Sequence, residues 1–236
     1  MLFYFVRHGD PCYVPDSLTP LGQRQAEALG RRIARCSLDR IYASPLKRAI
    51  QTAQPAAEML RKEIEIVDFA NESKAWQEMT FVDEEGVRRW ACVDPGLQKL
   101  FATKEMRELG MKWYTHPIFK DTTIPQGMER IARESDAFFR NLGYERMEVE
   151  GVYRAVRPNN ERVGLFAHAG FGGIFLSHVL GIPYPQLGAM LNIAHSSLTV
   201  LEFSPEAGEA MPLIHTAAND AHLYHENLPV YDRPVF

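Results

Sequence analysis

The first run of the chain is apolar without alternation: Phe3, Tyr4, Phe5 and Val6 lead directly into Arg7-His8-Gly9. Such a run, closed by a glycine turn, predicts a strand buried on both faces, as in parallel sheets. The period then changes. Ala26, Leu29, Ile33 and Cys36 recur at helical spacing behind Thr19-Pro20, a pair that reads as an N-cap and a first helical residue. Asp39 to Ala43 predicts a second strand. Ser44-Pro45 repeats the cap-and-proline signal ahead of a helix whose buried stripe is Leu46, Ala49, Ile50, Ala53, Ala57 and Leu60. Ile64 to Val67 predicts a third strand, so the order is βαβαβ, the mark of a parallel sheet with right-handed crossovers.

From Glu72 to about Asn160 the pattern breaks down. This stretch holds all three tryptophans, Trp76, Trp90 and Trp113, and one clear amphipathic helix through Met128, Ile131, Ser135, Phe138, Phe139 and Leu142. A helical insertion lying over one edge of the sheet is expected. Val163 to Ala167 resumes a buried strand, and His168-Ala169-Gly170 repeats the strand-to-turn logic of the first motif. A helix from Ile174 to Leu180 stops at Gly181 with Pro183 beyond, and Leu198 to Phe203 and Met211 to His215 predict further strands. The fold expected is an α/β three-layer sandwich, a mostly parallel sheet with helices on both faces, as a single domain over 1–236 with a cap-like helical insertion at about 73–160.

Charge narrows the function classes. A formal net charge of −4 offers no basic field for nucleic acid or an acidic membrane, so an anionic ligand must be held by a local pocket. The arginines Arg24, Arg31, Arg32 and Arg35 read as the solvated face of the first helix. The three cysteines, Cys12, Cys36 and Cys92, form neither a paired framework nor a metal spacing and suit reduced thiols. His116, His178, His195, His215, His222 and His225 likewise lack metal-like spacing, so neither a metal nor another cofactor is expected. With no signal segment and no apolar run of membrane-spanning length, the expectation is a soluble cytoplasmic protein.

Candidate chemistry sits where open α/β sheets bind ligands, at the C-terminal ends of strands. Arg7 and His8 end the first strand, and Gly9 lets the chain turn sharply and a ligand approach the backbone. Lys47 and Arg48 fall in the first turn of a helix, where free backbone N–H groups already favour an anion. Arg7-His8-Gly9, Leu18-Thr19-Pro20-Leu21-Gly22, Ser44-Pro45-Leu46-Lys47-Arg48-Ala49 with Gln51-Thr52-Ala53, and His168-Ala169-Gly170 together resemble the histidine phosphatase superfamily, phosphoglycerate mutase-like branch. Asn219-Asp220-Ala221-His222-Leu223 also looks like a recurrent segment of that family.

The resemblance implies a metal-independent phosphomonoester hydrolase acting through phosphohistidine on a small phosphorylated metabolite. His8 would be the nucleophile, Arg7, Arg48 and His168 the phosphate clamp, with Ala169 at the second turn, and His168 would serve as cation or donor. Arginine forks match phosphate oxygens, and a transferring phosphoryl group needs positioning and charge stabilisation above all. The resemblance places the proton-donating glutamate after the third strand, at Glu72, with Glu78 as the rival. Trp76, Trp90, Arg88 and Arg89 are candidates for recognising the rest of the substrate, unless the tryptophans only anchor the insertion. Asp10, Pro11 and Val14 depart from the mutase pattern of Glu and a Trp-Asn pair, and Ala169 stands where glycine is more usual. Loss of the polar contact at Val14 favours hydrolysis over the first alternative, a phosphoglycerate mutase, and the retained His8, Glu72 and His168 argue against the second, a phospho-ligand binding module.

Overall fold

The structure, a computed structural model, describes residues 1–82, 85–204 and 206–229. Residues 83 and 84 of the expected insertion therefore lie outside it. In chain order β1 (Leu2–Arg7) is followed by the hairpin β2 (Pro11–Tyr13) and β3 (Asp16–Leu18), then α1 (Pro20–Cys36), β4 (Arg40–Ala43), α2 (Lys47–Leu60) and β5 (Ile64–Ile66). Next come α3 (Glu72–Met79), the hairpin β6 (Thr80–Val82) and β7 (Arg88–Trp90), α4 (Pro95–Phe101), α5 (Lys104–Leu109) and the long α6 (Ile124–Asn141). The chain continues through β8 (Tyr144–Arg146), β9 (Tyr153–Ala155), β10 (Arg162–Ala167), α7 (Ala169–Leu180) and α8 (Tyr184–Met190). It finishes with β11 (Leu198–Glu202), β12 (Gly208–Ala210), β13 (Leu213–Asn219) and α9 (Ala221–His225).

β1 lies inside a six-stranded sheet of order β13-β11-β1-β10-β4-β5. It pairs parallel with β10, β10 with β4 and β4 with β5, whereas β11 and β13 run antiparallel. Successive side chains of a strand point to opposite faces, and β1 is apolar on both. Tyr4 and Val6 join Leu29 and Ile33 of α1 and Ala53, Ala56 and Ala57 of α2 in one core cluster. Phe3 and Phe5 join Phe138 and Phe139 of α6 and Phe171, Phe175 and Val179 of α7 in the other. These are the layers of the expected sandwich.

Local signals explain most boundaries. Thr19 caps α1 by accepting from Gly22 N at 3.0 Å, with Pro20 at the first position. Gly181 ends α7 in the left-handed conformation, as its place after Leu180 predicts. Packing requires a glycine at Gly9: a Cβ there would lie 2.7 Å from the carbonyl oxygen of Gly22, at the start of α1.

Two expectations are corrected. Ser44 does not cap α2, which begins at Lys47 with Leu46 as N-cap and no side-chain cap bond. The segment after Glu72 is also more than a cover over one edge. Phe139 is fully buried against Phe3, Phe175 and Phe203, and Phe138 meets Tyr42 and Phe69, so α6 is a core layer of the sheet. The reason is geometric. Both early crossover helices pack on the Tyr4–Val6 face, which leaves the Phe3–Phe5 face for α6 and α7 to cover.

Candidate active site

The parallel register brings the motifs together. Arg7 at the end of β1 is paired with Ala167 at the end of β10, so the following residues, His8 and His168, stand side by side with ring centroids 5.0 Å apart. β4 is the next strand, and the helix after it supplies Arg48 from its first turn. Arg7, His8, Arg48 and His168 are all buried, between 0% and 7% exposed.

Hydrogen bonds settle the state of His8. Its Nδ1 lies 2.7 Å from the carbonyl oxygen of Gly9, which can only accept, so the ring proton is on Nδ1 and the lone pair on Nε2. Arg48 Nε donates to that Nε2 at 3.3 Å. Burial, followed by the neighbouring His168 and Arg7, holds the imidazole well below its ordinary pKa, and the ring is neutral. Thr52 braces the turn by accepting from Gly9 N at 3.0 Å while donating to the Arg48 carbonyl at 2.7 Å.

Each residue expected to clamp phosphate is anchored in turn. Arg7 donates from Nη1 to the Ile193 carbonyl at 2.5 Å and from Nη2 to His195 Nε2 at 2.8 Å. Arg48 Nη1 donates to Asp16 Oδ1 at 2.5 Å, the other oxygen of Asp16 accepts from Lys47 N at 2.6 Å, and the guanidinium lies over the ring of Tyr13. His168 Nε2 meets Ser44 Oγ at 2.8 Å, and its Nδ1 is buried without a hydrogen-bond partner among the described residues. Burial beside Arg48 and Arg7 keeps this ring neutral as well. Of the two roles expected for His168, the structure therefore favours a neutral N–H donor over a cation. A serine hydroxyl donating to Nε2 would leave the proton on Nδ1, the nitrogen without a partner.

Glu72 begins α3, where Asn71 caps the helix by accepting from Ser73 N at 3.0 Å. Its carboxylate accepts from Gly170 N at 3.1 Å and Phe171 N at 2.8 Å, free N–H groups of the first turn of α7. Burial outweighs these bonds and the nearby arginines, and the pKa of Glu72 is raised. Glu78 goes elsewhere. It forms a two-oxygen ion pair with Arg130, at 2.7 Å from Nε and 2.6 Å from Nη2.

A cavity of about 840 Å³ opens over this edge. Arg7, His8, Arg48, Glu72 and Ala169 line its inner part, while Trp76, Arg88, Arg89 and Trp90 line the part toward the β6–β7 hairpin. His168 lies beneath, fully covered. Trp76 and Trp90 meet edge to face at 5.2 Å, and Arg88 Nη1 donates to Thr80 Oγ1 at 2.7 Å. Every residue proposed from the motifs is thus at or directly under one cavity, and Glu78 is not among its walls. Trp113 instead anchors its segment, fully buried and stacked on Tyr184 at 5.4 Å. Among the described residues no cluster of three or more His, Cys, Asp or Glu is arranged to hold a metal. No helix among them is long and apolar enough to cross a membrane.

Sequence reasoning missed Ser44, Asp16 and His195. Ser44 carried a cap signal that concealed its other use, and Asp16 lies in a hairpin that has no motif. His195 is one histidine among several in the sequence, and nothing local shows its contact with Arg7.

Residues 3–94 match the model of the histidine phosphatase superfamily (branch 1), and the recognition made from the motifs is borne out. A protein of Hydrogenobacter thermophilus carrying the provisional name phosphoserine phosphatase 2 is 26% identical over 148 residues, 59% of this chain and 65% of that protein, just under two thirds of its length. Among solved structures, a mycobacterial glucosyl-3-phosphoglycerate phosphatase in complex with inorganic phosphate superposes with TM-score 0.59 at 18% identity, covering 94% of this chain and 98% of that one. Phosphoserine phosphatase from Entamoeba histolytica in complex with 3-phosphoglyceric acid gives TM-score 0.59 at 17% identity, with the same coverage. At these identities the structural likeness is one of fold.

Proposed function

We propose that the protein is a metal-independent phosphomonoester hydrolase that works through a phosphohistidine on His8. The observation that carries this reading is the state of His8: a buried, neutral imidazole held at Nδ1 by Gly9, with Nε2 at the cavity beside Arg48. Nε2 attacks phosphorus in line and the ester P–O bond breaks. Arg7 and Arg48 hold the non-bridging oxygens, the cationic pair supplying charge stabilisation that a metal would otherwise bring, and His168, covered beneath the cavity floor, backs the phosphate site as a neutral N–H donor. The leaving alkoxide takes its proton from Glu72, whose raised pKa suits a general acid. The resulting carboxylate then accepts a proton from water as that water attacks phosphorus; the P–N bond breaks, and phosphate and free His8 are released.

The substrate class follows from the outer half of the cavity. Arg88 and Arg89 face the side on which the leaving group departs, with Trp76 and Trp90 beside them. This suits a small phosphate ester whose alcohol carries a carboxylate, in keeping with relatives named for phosphoserine and glucosyl-3-phosphoglycerate. Hydrolysis is favoured over mutase transfer because Val14, at the position of the mutase asparagine, is 90% exposed and offers no polar group to retain the phosphate. Incubation with 3-phosphoglycerate and with an aryl phosphate, assaying isomer and free phosphate together, tests the proposal. Free phosphate from both without isomer is expected; isomer without phosphate would make the protein a mutase, and neither product would leave a binding module.

A further inference from the structure

The clamp arginine beside the nucleophile has an unusual holder. Arg7 is 3% exposed, and a buried guanidinium is aimed by whatever accepts its protons. One acceptor is the Ile193 carbonyl and another is His195 Nε2, at 2.5 and 2.8 Å. A guanidinium only donates, so His195 Nε2 must carry a lone pair and the ring proton must be on Nδ1. That Nδ1 faces Asp10 Oδ1 at 3.7 Å, the residue that departs from the family pattern directly after Arg7-His8-Gly9. Asp10 is itself fixed. Thr19 Oγ1 donates to its Oδ2 at 2.6 Å, and its backbone N–H donates to Gln25 Oε1 at 2.7 Å.

The loop around His195 is tied to the catalytic strand by backbone bonds. Arg7 N donates to the Ser197 carbonyl at 3.0 Å and Ser196 N donates to the His8 carbonyl at 2.9 Å. Its ring lies 5.6 Å from that of His8. We propose that Asp10 and His195 form a positioning pair: donation from Arg7 to Nε2 and the Asp10 carboxylate 3.7 Å from Nδ1 both favour the Nδ1–H tautomer of His195, and the Nε2 acceptor aims the Arg7 guanidinium at the transferring phosphoryl group. Burial and the charge of Arg7 lower the pKa of His195 to about 3, so the acceptor persists through neutral pH. His195 is absent from the cavity walls, and it acts through Arg7 rather than on substrate.

This inference rests on the phosphatase reading for its kinetic consequence, but the tautomer can be observed without turnover. Nitrogen-15 correlation spectra of the wild-type imidazoles at neutral pH, with His195→Gln identifying the signal, should show His195 protonated at Nδ1 alone. Glutamine keeps an acceptor at the position of Nε2, so His195→Gln should retain kcat/KM on an aryl phosphate within about threefold. His195→Leu removes the acceptor, and misplacing a clamp by an ångström costs on the order of a hundredfold. His195→Asn, which reaches toward Asp10 but not Arg7, should fall with leucine and provides the same comparison if leucine prevents folding. Calorimetric titration with inorganic phosphate should show the same ranking of variants. An Nε2–H tautomer, equal losses for glutamine and asparagine, or full activity in His195→Asn would overturn the proposal. A wild-type protein that neither hydrolyses aryl phosphate nor binds phosphate would defeat the phosphatase reading instead, with the tautomer still deciding the role of His195.

Discussion

The inner and outer halves of the cavity are built on different principles. At the strand edge, the groups proposed for chemistry are buried or half-buried, and three of them are held by backbone: His8 by the Gly9 carbonyl, Arg7 by the Ile193 carbonyl, Glu72 by two amides of α7. At the β6–β7 hairpin, Trp76 is 38% exposed, and Arg88 is exposed and bonded to a hydroxyl of its own hairpin. The contrast teaches where precision is stored. Phosphoryl transfer needs atoms fixed to fractions of an ångström, which a sheet edge supplies. Recognition of a variable leaving group needs surface that can change without disturbing that edge.

Glu72→Gln should break the inner half selectively. With a poor alkyl leaving group, loss of general acid catalysis should cost about 10²–10⁴ in kcat/KM, while a good aryl leaving group should lose little. Equal losses on both, measured by free phosphate release, would mean that Glu72 only binds. The largest structural effect belongs to α6. Phe139→Ala empties a fully buried site among Phe3, Phe175 and Phe203, and denaturant unfolding should show a loss of about 3–5 kcal/mol. A loss below about 1 kcal/mol would return α6 to the status of a peripheral cover.

Acid sharpens the comparison further. His8 and His168 are held neutral by burial, with folded pKa values well below the ordinary 6.5. The unfolded chain therefore binds protons that the folded chain refuses as pH falls through 6.5, and stability declines by about 1.4 kcal/mol per pH unit for each such histidine. Aryl phosphatase activity should meanwhile persist from pH 7 to pH 5.5, because a neutral nucleophile survives there. An acid limb centred at 6.5 would show that His8 titrates normally. The smallest effect is expected at the hairpin. Replacing Arg88 and Arg89 together by alanine should lower kcat/KM about tenfold on a phosphorylated carboxylic acid, near 1.4 kcal/mol of transition-state binding, and leave an aryl phosphate unchanged. Parallel losses on both substrates would assign these arginines no part in recognition.

The same contrast governs what the sequence made legible. The strand-turn-helix junctions carrying Arg7-His8-Gly9, Arg48 and His168-Ala169-Gly170 are readable because strand burial, glycine turns and helix starts are local. The resemblance implies a glutamate after the third strand and favours Glu72, while the ion pair that takes Glu78 to Arg130 is not legible in the sequence. Other contacts are not local. Ser44 retains a long bond from Leu46 N at 3.4 Å but is recruited by His168 across the sheet, which overrides the cap its sequence advertises. The stripe of α6 was plain, yet which face it covers depended on both early helices taking the other. Asp16 and His195 reach Arg48 and Arg7 from a hairpin and a late loop, and no periodicity encodes that meeting.

The central claim is that His8 Nε2 carries the phosphoryl group. Turnover of a phosphorus-32-labelled phosphomonoester, quenched within the first turnovers and digested to peptides, tests it most directly. The account predicts an acid-labile, base-stable label on the peptide containing His8, absent from His8→Ala. Label on Ser44, Cys12 or any other side chain, or full turnover by His8→Ala, would contradict it.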